Sequence, residues 1–132
     1  MIVITFLQSI TNSSCCDFNK DCFKTFINAL YSRDGIDKEA KVIYISFLNH
    51  NDEMLFSKRI KLKDKTIYLE KRKIFDKKNL LIIKSIAKSE FNEFKVEFLF
   101  EVRGFTKDGS ITIGFENQKP VFKHGGFVKG ID

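Results

Sequence analysis

Apolar and polar positions along this chain fall into segments of two different periods. Ile2 to Leu7 is an apolar run rich in β-branched residues, closed by the polar stretch 8–14, and it predicts a buried strand. Ser14, followed three positions later by Asp17, has the form of a weak capping box and predicts a helix start. Phe18, Cys22, Phe23, Phe26, Ile27, Leu30 and Tyr31 then recur at helical spacing, while Asn19, Lys20, Asp21, Lys24 and Asn28 take the opposite face. Arg33-Asp34-Gly35 should end that helix, because glycine accepts the left-handed conformation after the last turn.

Beyond the helix the period changes to two. Lys41 to Leu48 is apolar on both faces, as in a central strand. The turn formers Asn49 to Asp52 then predict a hairpin with Phe47 opposite Met54 and Ile45 opposite Phe56. A two-residue turn at Asp64-Lys65 would set Leu62 opposite Ile67 and Ile60 opposite Leu69 on the inner side. On the outer side it would set Arg59 across from Glu70 and Lys61 across from Tyr68. The alternation fails after Leu69, which predicts a bulge or strand end between Glu70 and Lys73. Leu80 to Lys88 reads as a strand, although Leu80, Ile83 and Ala87 also fit a short helix. Phe94 to Val102 alternates plainly, and a turn at Asp108-Gly109 would pair Thr106 with Ile111, Gly104 with Ile113 and Val102 with Phe115. Val121-Phe122 and a bulge at Gly125-Gly126 complete a last edge strand before a frayed end.

The expected architecture is one α+β domain over residues 1–132: an N-terminal strand, one amphipathic helix, and an antiparallel meander of about six strands curled around the helix. As a topology this resembles cystatin-like and small calycin-like folds. None of their signature motifs is present, and a shared topology implies no function.

Composition, with fifteen Phe, no Trp and a single Pro, points to a core built largely from phenylalanine and to turns that rely on Gly, Asn and Asp. Charge adds more. Residues 58–78 hold ten Lys or Arg against three acids, a local +7 in a chain whose total is +6, so the remainder sits at −1. Such a strip favours an anionic partner. Lys predominates over Arg, and Lys lacks the bidentate fork that reads base edges, so sequence-specific nucleic-acid recognition is disfavoured.

The start of the chain has no positive n-region and only a short apolar run, so no secretory signal is expected. No apolar run is long enough for a membrane span. Three clustered cysteines, Cys15, Cys16 and Cys22, form no disulfide framework, and a reduced cytoplasmic protein is expected.

Candidate chemistry is sparse. Cys16 lies near a predicted helix start, but His50 and His124 have no spacing that links either to it as a base. The cysteines and histidines show no chelating pair, so no metal or cofactor is expected. His124-Gly125-Gly126 opens no helix and is no phosphate loop. Glu97 and Glu101 share a strand face about 13 Å apart, too far for a carboxylate pair. An enzyme is therefore not expected.

The basic strip remains as the partner-binding candidate: Arg59, Lys61, Lys63 and Tyr68 on one hairpin face, with Lys71, Arg72 and Lys73 beside it. The leading expectation is a non-enzymatic binding protein that occupies a macromolecular partner with an acidic surface, as inhibitors and toxin-neutralising (immunity-type) proteins do. A nucleic-acid backbone tracked by the same face, with Tyr68 stacking a base, is the alternative. A further alternative is a carrier for a small apolar ligand, lined by Phe94, Phe98, Phe100 and Phe115. The oligomeric state is open, because the predicted edges at 2–7 and 121–128 could pair with each other or with a second copy.

Overall fold

A computed structural model describes residues 17–32, 41–63, 65–71, 79–89, 92–102 and 105–129. The strand expected at Ile2 to Leu7, the capping residue Ser14 and the terminator Arg33 to Gly35 lie outside these.

The helix, α1, runs Lys20–Ser32 and buries Cys22, Phe23, Phe26, Ile27, Ala29, Leu30 and Tyr31, the stripe its periodicity predicts. Among the described residues its first turn is capped by Asn19, whose Oδ1 accepts the Cys22 N–H at 3.0 Å.

Seven strands follow: β1 Val42–Phe47, β2 Arg59–Lys61, β3 Thr66–Lys71, β4 Leu80–Ser89, β5 Glu93–Val102, β6 Phe105–Glu116 and β7 Lys119–Lys129. They form one sheet in the order β2-β3-β1-β4-β5-β6-β7, which curls around the helix. The fold is α+β and mostly antiparallel, with one departure from a meander. β1 lies between β3 and β4 and runs parallel to both. The expected β1–β2 hairpin therefore does not form: His50–Leu55 is a 3-10 helix capped by Asn49, and Met54 is 78% exposed instead of facing Phe47.

The β2–β3 hairpin does form, but Ile60 faces Ile67 and Arg59 faces Tyr68, a slip of two positions from the expected register. The ladder continues one pair beyond Lys61 and Thr66, since the Leu62 N–H donates to the Lys65 carbonyl at 2.8 Å. The slip is even, so Ile60, Leu62, Ile67 and Leu69 keep the buried side. β3 ends at Lys71, where the alternation breaks.

The β5–β6 turn is also displaced. Val102 faces Phe105, and Asp108 and Gly109 sit within β6 instead of turning it. This register matches β5 along nine residue pairs and sets Phe94 against Ile113 and Val96 against Ile111, pairings that a turn at Asp108-Gly109 would forfeit. Gly109 lies opposite Phe98, leaving that inner position to the aromatic ring. Asp108 turns outward to Lys84, whose Nζ donates to Oδ1 at 3.1 Å. Lys84 is itself the extra residue of a bulge between Ile83 and Ser85.

Asn117 and Gln118, both with positive φ, make the last tight turn, with Glu116 facing Lys119. β7 is a full edge strand rather than a short one, and its bulge falls at Lys123, ahead of the glycines. Gly125 is required for another reason: φ is +144°, and a Cβ there would come within 2.4 Å of the Ser110 carbonyl oxygen.

One core joins the helix to the whole sheet. Phe26 meets Phe98 edge-on at 5.3 Å between ring centroids, and Phe23 packs on Phe47 at 5.8 Å. Phe94, which contacts both Phe18 and Phe115, extends the cluster. Of the phenylalanines expected to line a ligand cavity, Phe98 thus packs on the helix, Phe94 and Phe115 pack on each other, and Phe100 is fully buried in the core.

Candidate functional site

The basic strip becomes a surface because its alternate residues are locked into the core. Ile60 and Leu62 on one arm, and Ile67 and Leu69 on the other, are buried, so Arg59, Lys61 and Tyr68 are forced outward by the two-residue period. Arg59 stands directly across from Tyr68, which remains 48% exposed, and Lys61 stands across from Thr66. Lys63 is exposed in the connecting loop. Lys65, in the same loop, turns back so that its Nζ sits 4.4 Å from the centre of the Tyr31 ring, which ties the hairpin to the end of α1.

Lys71 closes β3 with its Nζ 5.5 Å from the centre of the Phe56 ring. Together with Lys58, Tyr68, Leu69 and Glu70 these two line an open hollow of about 740 Å³. Tyr68 therefore has Arg59 across from it and this hollow beside it. Five of the seven expected partner-binding residues, Arg59, Lys61, Lys63, Tyr68 and Lys71, lie on β2, β3 and their loop. Arg72 and Lys73 lie outside the described residues.

A second grouping is invisible in one dimension. Because the sheet curls, its two edge strands approach the same side of α1, and a cleft of about 820 Å³ opens between them. Asp21, Lys24, Thr25 and Asn28 line it from the helix at i, i+3, i+4 and i+7, a single stripe. Lys61, Leu62 and Lys63 come from the β2 edge, and Lys119 and Pro120 from the start of β7. Counted over the described residues, four lysines and one carboxylate line it, a net +3. Among the described residues none of these four lysines forms an ion pair, whereas Lys84, Lys95 and Lys123 do. Lys24 and Lys119 were missed in the sequence because they lie outside the 58–78 run. The polar helical stripe was the only trace of Lys24, and no pattern in the sequence pointed to Lys119.

The sites weighed for other chemistry fall elsewhere. Cys22 is buried in the core, and desolvation pushes its thiol above the ordinary value, partly offset by the Asn19 hydrogen bond. Cys15 and Cys16 lie outside the described residues. His50 is exposed and pairs with Glu53, and His124 is exposed on β7. Among the described residues no group of three His, Cys, Asp or Glu side chains gathers as metal ligands would, and no helix is long and apolar enough to cross a membrane. No protein-family model matches the chain, and neither a curated protein nor a solved structure matches it.

Proposed function

We propose that this protein acts without catalysis, by occupying a macromolecular partner through the β2–β3 face, in the manner of an inhibitor or toxin-neutralising protein. The observation that carries this reading is Arg59 standing across from the half-exposed Tyr68 on a hairpin whose inner side is core. Tyr and Arg are residue types that dominate binding energy at protein interfaces, and here both project from a strand pair held in register. Lys61, Lys63 and Lys71 surround them with exposed positive charge, which steers approach to an acidic partner surface.

The test starts from a partner captured from the native host and measures its association with the purified chain. Replacing Lys61, Lys63 and Lys71 by Glu should slow association about tenfold or more at low salt and flatten its salt dependence, with the melting temperature nearly unchanged. Tyr68→Ala should instead raise the dissociation rate. An unaltered association rate in the triple variant removes the strip from the account.

The exposed Tyr68 ring beside Arg59 also fits a single-stranded nucleic acid, with a base stacked on the ring and phosphates along the lysines. That reading predicts micromolar or tighter binding to an oligonucleotide in low salt, falling steeply as salt rises. Failure to bind at low ionic strength rules it out.

A further inference from the structure

We infer that the cleft between α1, the β2–β3 loop and the start of β7 is a binding site for a small molecule carrying clustered phosphates. Lys24, Lys61, Lys63 and Lys119 reach it from three separate elements, and among the described residues Asp21 is the one acid that lines it. Like charges drawn together repel, and among the described residues no second carboxylate lines the cleft to offset them. A bound anion would offset them.

The donor set selects the kind of anion. All four cations are lysines, point charges that suit tetrahedral phosphate. Among the described residues no arginine, whose planar fork grips a carboxylate, lines the cleft. Asn28 adds a neutral donor, whereas the Thr25 hydroxyl is already committed to the Asp21 carbonyl at 3.0 Å. The volume of about 820 Å³ suits a small ligand, and Leu62 and Pro120 give it an apolar wall against which a non-phosphate portion could rest. The walls are fixed in advance: the Lys65–Tyr31 contact holds the loop to the helix, and the tight turn at Asn117-Gln118 holds Lys119.

The cleft shares Lys61 and Lys63 with the proposed partner face, so the test rests on Lys24 and Lys119, which belong to the cleft and not to that face. The probe is inorganic pyrophosphate, titrated calorimetrically into the full chain at low salt, with citrate as a carboxylate of similar charge. Pyrophosphate should bind saturably and at least several-fold more tightly than citrate. Lys24→Gln and Lys119→Gln should each weaken it about three- to fivefold, and Asp21→Asn should tighten it by a similar factor. Lys95→Gln, on an exposed lysine of β5 that does not line the cleft, should leave it unchanged. The lysines are exposed, so their variants should keep the wild-type melting curve, and Asp21→Asn gives a signal of opposite sign. No saturable binding, equal or tighter binding of citrate, or an equal loss in Lys95→Gln would each overturn the assignment.

Discussion

The two ends of this sheet are built in opposite ways. From β4 to β7 the strands are ten to twelve residues long, and each pairs antiparallel with its neighbour in sequence. At the other end β2 has three residues and β1 and β3 have six each, and β1 reaches its partners in parallel, with Tyr44 facing both Glu70 and Leu80. The long end holds together by continuous hydrogen-bonded ladders. The short end relies on its buried side chains, and it carries the exposed Arg59, Lys61, Lys63 and Tyr68. Binding surfaces are commonly placed where backbone ladders are short and local opening is cheap, and the contrast here fits that rule.

The sharpest challenge to this contrast is whether the two ends unfold together. Phe98 is fully buried against Phe26, and Phe98→Ala should cost about 3–5 kcal/mol. Ile67, fully buried at the short end, should cost about 2–4 kcal/mol when changed to Ala. Both belong to one contiguous cluster. Urea unfolding followed by circular dichroism and by tyrosine fluorescence should therefore give one coincident transition for each variant. A separate early transition in Ile67→Ala would show that the short end is its own cooperative unit.

Gly125→Ala probes the long end alone. Its φ of +144° is closed to side chains, and the new Cβ would strike the Ser110 carbonyl oxygen and the Ile111 backbone. A loss of about 2 kcal/mol is expected, with amide exchange accelerated along β6 and β7 and little changed in β3. Wild-type stability would mean that β7 can shift on β6 without loss, and that its long ladder is not what anchors this edge.

The same contrast explains what was legible in the sequence. A two-residue period tells which side of a strand is buried, and the expected inner positions Ile60, Leu62, Ile67, Leu69, Phe94, Val96, Phe98 and Phe100 are all buried. It says nothing about register, because any even slip preserves the faces. Both register errors, Ile60 with Ile67 and the displaced β5–β6 turn, are even slips. Asp108-Gly109 has the composition of a turn, yet pairing along the whole of β5 outweighs two residues of turn preference. The ambiguity of Leu80 to Lys88 also has a cause. The bulge at Lys84 separates the inward residues Ile83 and Ile86 by three positions, a helical interval within a strand. The parallel placement of β1 joins residues far apart in the chain, and no local signal announces it. For the same reason only the contiguous half of the basic surface could be read. Lys24 and Lys119 meet Lys61 and Lys63 solely because the sheet curls.

The smallest predicted effect lies in the segment that joins the two ends of β1 and β2. Asp52, in the 3-10 helix, has a carboxylate oxygen, Oδ2, with no hydrogen-bond partner among the described residues, and desolvation raises its pKa above the ordinary carboxylate value. An acid whose pKa is raised by folding makes the native state bind more protons than the unfolded chain between the two values. Stability is then greatest below the unfolded pKa and declines as pH rises through the folded one. Asp52→Asn removes that charge, so it should stabilise the protein by a few tenths of a kcal/mol at pH 7, with the gain vanishing near pH 3, as read from urea midpoints at both values. A loss at pH 7 would reverse the sign. It would mean that the charged carboxylate, in the first turn of this 3-10 helix, is held favourably by the backbone N–H groups there and that their attraction exceeds the desolvation cost.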